Sequence, residues 1–181
     1  MRQLAIAVIV TAMLLGGCAG AGKPAAEPPA GEPVAIDPRA SVFSQPWTWL
    51  DDRGERVTLA SWRGTPLVVT AVYTTCFETC PRTIVRLRRV YDEFVRAGRR
   101  AEFVVVTLDP AVDTPERLRE FRTARGLPAA WHLLTGTRQA TDQLMAVLDV
   151  HVMDMDVHLV HDSRITLFDA GGLRAAELGA P

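Results

Sequence analysis

The chemistry in this chain concentrates in residues 69–81, Val-Thr-Ala-Val-Tyr-Thr-Thr-Cys-Phe-Glu-Thr-Cys-Pro, which set Cys76 and Cys80 four residues apart. On a helix, side chains at that offset share a face, about 5 to 6 Å apart at Cβ. Two thiolates so placed can close on one soft metal ion, Cu(I) above all, or oxidise to a disulfide. If the segment from about Phe77 onward is helical, Cys76 lies near its N-terminus. There the dipole and the free N–H groups favour thiolate, which predicts a depressed pKa for at least one of the pair. A structural disulfide or two buried, inert cysteines are the plainer readings, and a C-x-x-x-C spacing alone does not separate them from a metal site.

A second loaded stretch spans residues 153–162, Met-Asp-Met-Asp-Val-His-Leu-Val-His-Asp. It reads as a loop leading into a strand. If that strand joins the sheet that carries the cysteines, the loop can bring a third ligand to them, with His158 and His161 as the imidazoles within reach. Met153 and Met155 form either a weak auxiliary copper entry site or plain loop packing, the second being the more common use of such a pair. His132 lies in an apolar strand away from other ligand types and reads as structural.

The elements that must hold these residues follow from apolar periodicity. Residues 67–73, rich in β-branched side chains, predict a strand covered on both faces. Pro81 suits a first helical turn, and a helix to about Ala97 follows. Ile84, Val85, Leu87, Val90, Tyr91 and Phe94 form its apolar face, and Gly98 stops it. Arg82, Arg86, Arg89, Arg96, Arg99 and Arg100 make its outer side basic, either a solvated face or a docking surface for an acidic partner. Residues 102–108 predict a second buried strand, so that strand, helix and strand form a right-handed parallel unit. Asp113 or Thr114 can cap a second helix, with Pro115 at its first position and an end near Gly126. Residues 131–136 predict a short strand and turn, and 137–148 a third helix with Ala140, Leu144, Val147 and Leu148 inward. Residues 165–168 predict a strand that turns at Asp169-Ala170-Gly171-Gly172 and returns over 173–178. Upstream, residues 47–50 and 55–59 alternate around Asp51-Asp52-Arg53-Gly54 as a hairpin, with Trp47, Trp49 and Trp62 as packing residues.

The chain has 181 residues, 48% of them hydrophobic and 23% charged, which suits one globular domain. A formal net charge of −1 argues against a nucleic-acid partner. Residues 1–17 read as a signal peptide: Arg2, an apolar run over 4–15, then small residues, too short to count as a spanning helix. The ending Leu15-Gly16-Gly17-Cys18 resembles a bacterial lipobox, in which cleavage precedes a cysteine that is then lipidated. Residues 18–40, rich in Ala, Gly, Pro and Glu, predict a disordered tether between membrane and domain. The folded domain is then 41–181, facing an oxidising space outside the cytoplasm, in the periplasm-facing cell envelope. In that space a partner must keep Cys76 and Cys80 reduced for them to bind copper.

With these residues in place, the chain resembles the Sco/SenC family, thioredoxin-like copper proteins that help build the binuclear copper centre of cytochrome c oxidase. Three pieces carry the resemblance: residues 73–81 with the C-x-x-x-C-P stretch; Leu108-Asp109-Pro110 with Asp113-Thr114-Pro115-Glu116-Arg117-Leu118; and His161 eight residues before the Asp169-Ala170-Gly171-Gly172 turn. The resemblance implies a thioredoxin-like α/β sandwich with an added N-terminal β-hairpin. It also implies Cys76, Cys80 and His161 as ligands of one copper ion, Cu(I) or Cu(II). His161 is preferred to His158 for its distance to the glycine turn. Two departures stand out. The family's Asp-His-Ser order is here Val160-His161-Asp162-Ser163, and the C-terminal helix of thioredoxin-like domains is missing from the sequence pattern.

The resemblance thus points to a lipid-anchored copper metallochaperone rather than an enzyme, with the copper-bearing oxidase subunit, a thioredoxin-like reductant and the membrane as partners. The alternative is a thiol-disulfide reductase with Cys76 and Cys80 as its redox-active pair, acting on cysteines of the oxidase or of other extracytoplasmic proteins. A peroxidase has only the cysteine at the strand–helix junction in its favour.

Overall fold

The computed structural model describes residues 37, 39–77, 79–155, 158–161 and 164–178, with the course of the backbone alone for 152–155 and 158–161. The expected signal peptide, Cys18 and most of the tether lie outside the described residues, as does Asp162. Among the described residues no helix is long and apolar enough to cross a membrane.

The N-terminal hairpin forms as β1 (Trp49–Asp51) and β2 (Arg56–Val57), paired antiparallel. Asp51 closes it, its carboxylate accepting the N–H groups of Arg53 and Glu55, each at 2.9 Å. Gly54 supplies the left-handed backbone that the turn needs, at φ 84°. The second strand is shorter than its pattern suggests: Leu59 leaves the ladder for a 3-10 turn (Leu59–Trp62) that buries its side chain.

The core strands β3 (Leu67–Val72) and β4 (Glu102–Thr107) flank α1 (Thr79–Arg96), and α2 (Pro115–Arg125) leads to β5 (Trp131–Gly136). All six residues of β3 are buried, the sign of a strand covered on both faces. β3 pairs parallel with β4, and β4 with β5. Both crossovers step the same way along the sheet, and right-handed connections then put α1 and α2 on one face. A cluster of rings fastens that face: Tyr91 of α1 meets Phe103 edge-on at 5.0 Å, and Phe103 stacks on Trp131 at 6.2 Å. Arg88 of α1 donates to the Arg125 carbonyl at 2.8 Å, where α2 ends. Val85, expected inward, is 49% exposed. Ile84, Leu87, Tyr91 and Phe94 follow the helical repeat, and position 85 falls on the far side of it.

α3 (Arg138–Leu148) is capped by Thr137, and Ala140, Leu144, Val147 and Leu148 are buried as expected. The stretch read as a loop is instead a hairpin, β6 (Val152–Met155) and β7 (His158–His161). Two runs of four separated by two residues satisfy a hairpin's spacing, and alternation of Met with Asp is a period-two pattern. β8 (Ile165–Phe168) then runs antiparallel to β3, and β9 (Arg174–Leu178) returns beside it. The full sheet has the order β2-β1-β5-β4-β3-β8-β9, with β6 and β7 in a sheet of their own. The Gly171-Gly172 turn also receives the N-terminal segment: Ser41 Oγ donates to the Gly171 carbonyl at 2.6 Å, and the Val42 N–H to that of Gly172 at 3.0 Å. Gly172, at φ 80°, has no room for a Cβ, which would stand 2.6 Å from the Phe43 ring.

Candidate metal centre

β3 ends at Val72, and the chain turns through Tyr73, Thr74 and Thr75 to Cys76 before α1 begins at Thr79. The helix therefore starts later than expected, and Cys76 sits in the turn ahead of it while Cys80 occupies its second position. The two still meet. The backbone N–H of Cys80 donates to Cys76 Sγ at 3.2 Å, so the sulfur fills the place of a capping acceptor for a first-turn donor. That hydrogen bond and the positive end of the helix favour an anionic sulfur at Cys76. Both residues are thiols, with Cys76 4% exposed and Cys80 fully buried.

Cys80 behaves in the opposite way. Burial pushes its thiol well above the ordinary value, and a hydrogen bond with Cys76 adds to this, as does the negative charge of that sulfur. A backbone hydrogen bond at Tyr73 and the Arg125 guanidinium pull less strongly the other way. Cys80 thus keeps its proton until something positive replaces it. A soft monovalent cation would do so, because it would supply the charge that lets both sulfurs ionise in a buried place.

The turn carrying Cys76 is held by a buried carboxylate. Asp113, expected as a possible cap of α2, leaves that role to Thr114, whose side chain accepts the Arg117 N–H. Asp113 is fully buried instead, and its carboxylate accepts the Thr74 N–H at 3.0 Å and the hydroxyls of Thr74 and Thr107. One side chain therefore ties the cysteine turn, the end of β4 and the approach to α2 together. Sequence reasoning missed this role; an acid next to a threonine that caps equally well was the available signal. Phe77, between the cysteines, is 81% exposed.

His161 is the last residue of β7, opposite Val152, and His158 is the first, opposite Met155. The structure describes neither side chain. The backbone after His161 re-enters the sheet at Arg164, whose carbonyl accepts the Thr70 hydroxyl at 2.7 Å. Ile165 pairs with Thr70, so β8 begins at the end of the sheet where β3 runs out toward Cys76. Three residues span at most about 10 Å, which keeps the His161 backbone near that end. Among the described residues no third His, Cys, Asp or Glu joins the two cysteines. His132 has the structural role expected of it: Nε2 lies 2.9 Å from a Glu102 carboxylate oxygen, and the ring packs on Trp62 at 4.5 Å.

The SCO1/SenC family model matches residues 37–177. A "Putative copper-binding protein" of Stutzerimonas stutzeri is 25% identical over 115 residues, covering 60% of this chain and 55% of the relative, so the chain spans about half of that protein. Among solved structures, Bradyrhizobium japonicum ScoI with copper bound is 21% identical with a TM-score of 0.61, covering 75% of this chain and 88% of that one. BsSco, a member of the Sco family of cytochrome c oxidase assembly proteins in which a disulfide switch is identified, is 19% identical with a TM-score of 0.65, covering 80% and 85%. The structural likeness establishes the fold as the thioredoxin-like α/β fold of these proteins. With the family model matched along most of its length, the chain belongs to the SCO1/SenC family.

Proposed function

We propose that this chain is a copper metallochaperone of the bacterial cell envelope. It is anchored to a membrane through lipidated Cys18, binds one copper ion through Cys76, Cys80 and His161, and delivers the ion during assembly of the cytochrome c oxidase copper centre. The observation that carries the reading is the pairing of two thiols at the β3–α1 junction, one sulfur receiving the other residue's N–H, in a chain of this family. The copper-bound ScoI and the copper-binding description of the Stutzerimonas relative support the choice of metal. Two thiolates favour the reduced ion, and an imidazole nitrogen helps to keep the oxidised one.

Release follows from the same chemistry. Oxidation of the Cys76 and Cys80 thiolates to a disulfide passes two electrons to a partner disulfide, which takes two protons from water and becomes a dithiol, and removes both anionic ligands from the metal. A thioredoxin-like dithiol protein then restores the pair. In a strain lacking the gene, wild-type chain is expected to restore the near-infrared absorption of the oxidase copper centre, and Cys76→Ala, Cys80→Ala and His161→Ala to fail. A complete copper centre in the strains carrying the cysteine variants would contradict delivery by this site. Reduction of the oxidase cysteines by the wild-type chain without copper transfer would favour the reductase.

A further inference from the structure

The chain enters the domain at one end of the sheet. Ser41 and Val42 are bonded to Gly171 and Gly172 in the turn between β8 and β9, and the Gly64 N–H donates to the Ala170 carbonyl at 3.0 Å. Phe168, just before that turn, pairs with Leu67, the first residue of β3, and Leu67 pairs with Glu102, the first of β4. The cysteine turn leaves the other end of β3, whose 6 residues span about 20 Å.

Arginines gather at the entry end. Arg39 precedes Ser41 by two residues, Arg63 comes just before Gly64, and Arg96, Arg99 and Arg100 lie where α1 ends and the chain runs into β4. All five are exposed, and among the described residues none of them is in an ion pair. Two of the guanidinium groups are held on rings: that of Arg99 lies 4.3 Å from the centre of Phe94, and that of Arg63 lies 5.8 Å from the centre of Phe43 and donates to the Phe43 carbonyl at 3.1 Å. The acids of this end are engaged. Asp169 accepts the N–H groups of Gly171 and Leu173, Asp37 accepts that of Arg39, and Glu102 faces His132. An arginine at a helix C-terminus offsets the dipole, which accounts for Arg96 and not for the others. Leu173 stands 48% exposed in the same turn. With a formal net charge of −1, the chain as a whole is not drawn to an anionic surface, but a local basic cluster is.

We propose that this end of the domain rests on a surface of anionic phospholipid, with Arg63, Arg96, Arg99 and Arg100 on the phosphate groups and Leu173 at the apolar boundary beneath them. A guanidinium matches phosphate oxygens at two points, and one already held on a ring loses less freedom in doing so. Phospholipid is favoured over an acidic protein because the chain leading back to Cys18 leaves from among these arginines; that step rests on the lipid-anchored reading. Attachment here turns the cysteine junction, with exposed Phe77, toward the aqueous side. There it lies beyond the headgroup charge, which decays over about 8 to 10 Å.

The test uses the chain from residue 18 onward with Cys18→Ala, which bears no lipid, so that binding reads the arginines alone. Co-sedimentation is expected with vesicles of phosphatidylglycerol and phosphatidylcholine in equal parts, not with phosphatidylcholine alone, and high salt should abolish it. Arg96→Gln, Arg99→Gln and Arg100→Gln together are expected to weaken it by at least about tenfold. Arg96→Gln with Arg100→Gln, which spares the contact of Arg99 with Phe94, should weaken it by at least about fivefold. Arg82→Gln, Arg89→Gln and Arg117→Gln together make the same change of charge away from this end and are expected to leave binding unchanged. In the native chain on the same vesicles, amide exchange should slow over residues 96–101 and 169–173 and not over 73–77. No binding to the anionic vesicles, equal loss in the two triple variants, or slowing over 73–77 overturns the proposal. Arginine-dependent binding to polyglutamate without binding to vesicles would also overturn it and give this end to an acidic protein. The mass of the native chain reads lipidation of Cys18 separately, so failure of the anchor and failure of the arginines are told apart.

Discussion

Cys76 and Cys80 share a motif and differ in surroundings, and the difference has a measurable sign. The Cys80 thiol is pushed up by burial and by the sulfur of Cys76. A folded-state value raised above the unfolded one means that the folded form keeps the proton longer, so its contribution to stability is complete below the ordinary thiol value of 9.0 and is lost as pH rises beyond it. Unfolding free energy of the reduced, metal-free chain is therefore expected to fall above about pH 9, by up to about 1.4 kcal/mol per pH unit while only the unfolded thiol ionises. Cys80→Ser should remove that slope, and denaturant unfolding at a series of alkaline pH values measures it. Equal slopes in the two chains would show that burial does not hold this proton. The sequence supplies the pair and its closeness to a helix start. It does not assign opposite characters to the two sulfurs, because that depends on which one ends up capping the helix and which one lies beneath it.

At the scale of elements, Asp113 joins pieces that the sequence leaves unconnected. Its carboxylate takes donors from Thr74 after β3 and Thr107 at the end of β4, while the neighbouring Thr114 caps α2. Asp113→Asn keeps the shape, removes the charge and turns one acceptor into a donor facing hydroxyls. The expected cost is about 1 to 3 kcal/mol, the range for hydrogen bonds to a buried charged group. A lower denaturant midpoint with an unchanged slope would show it; a midpoint within error of wild type would mean that the threonines do not depend on this carboxylate. The strands and helices themselves were legible: buried runs such as Leu67–Val72 and capped amphipathic helices such as Arg138–Leu148 declare their type through period and punctuation. The β6–β7 hairpin was not legible as a ribbon, since neither Asn-Gly nor Asp-Gly joins its two short runs to mark a turn. The role of Asp113 was not legible, since only the β3–β4 register, with Val72 beside Thr107, brings its partners together.

At the scale of the whole molecule, the sheet makes the end of β3 a meeting point: the cysteine turn leaves there, β4 delivers Thr107, and β8 arrives from β7. The thioredoxin-like fold was legible from the strand–helix–strand order and the resemblance together, and the added hairpin from its turn residues. The choice of His161 over His158 as a third ligand rests on the resemblance alone, because no local pattern in the sequence separates the two histidines. Competition titration of the reduced full chain against a Cu(I) chelator tests the cysteine site most directly. The tightest copper site is expected to weaken by at least about tenfold in each of Cys76→Ala, Cys80→Ala and His161→Ala, since even the groups behind a metal ligand are felt on that scale. His132→Gln, at a ring engaged with Glu102, should leave it in place. A tightest site that survives both cysteine changes undiminished, or a reduced chain that holds no copper while still exchanging disulfides, would contradict copper binding at the β3–α1 junction.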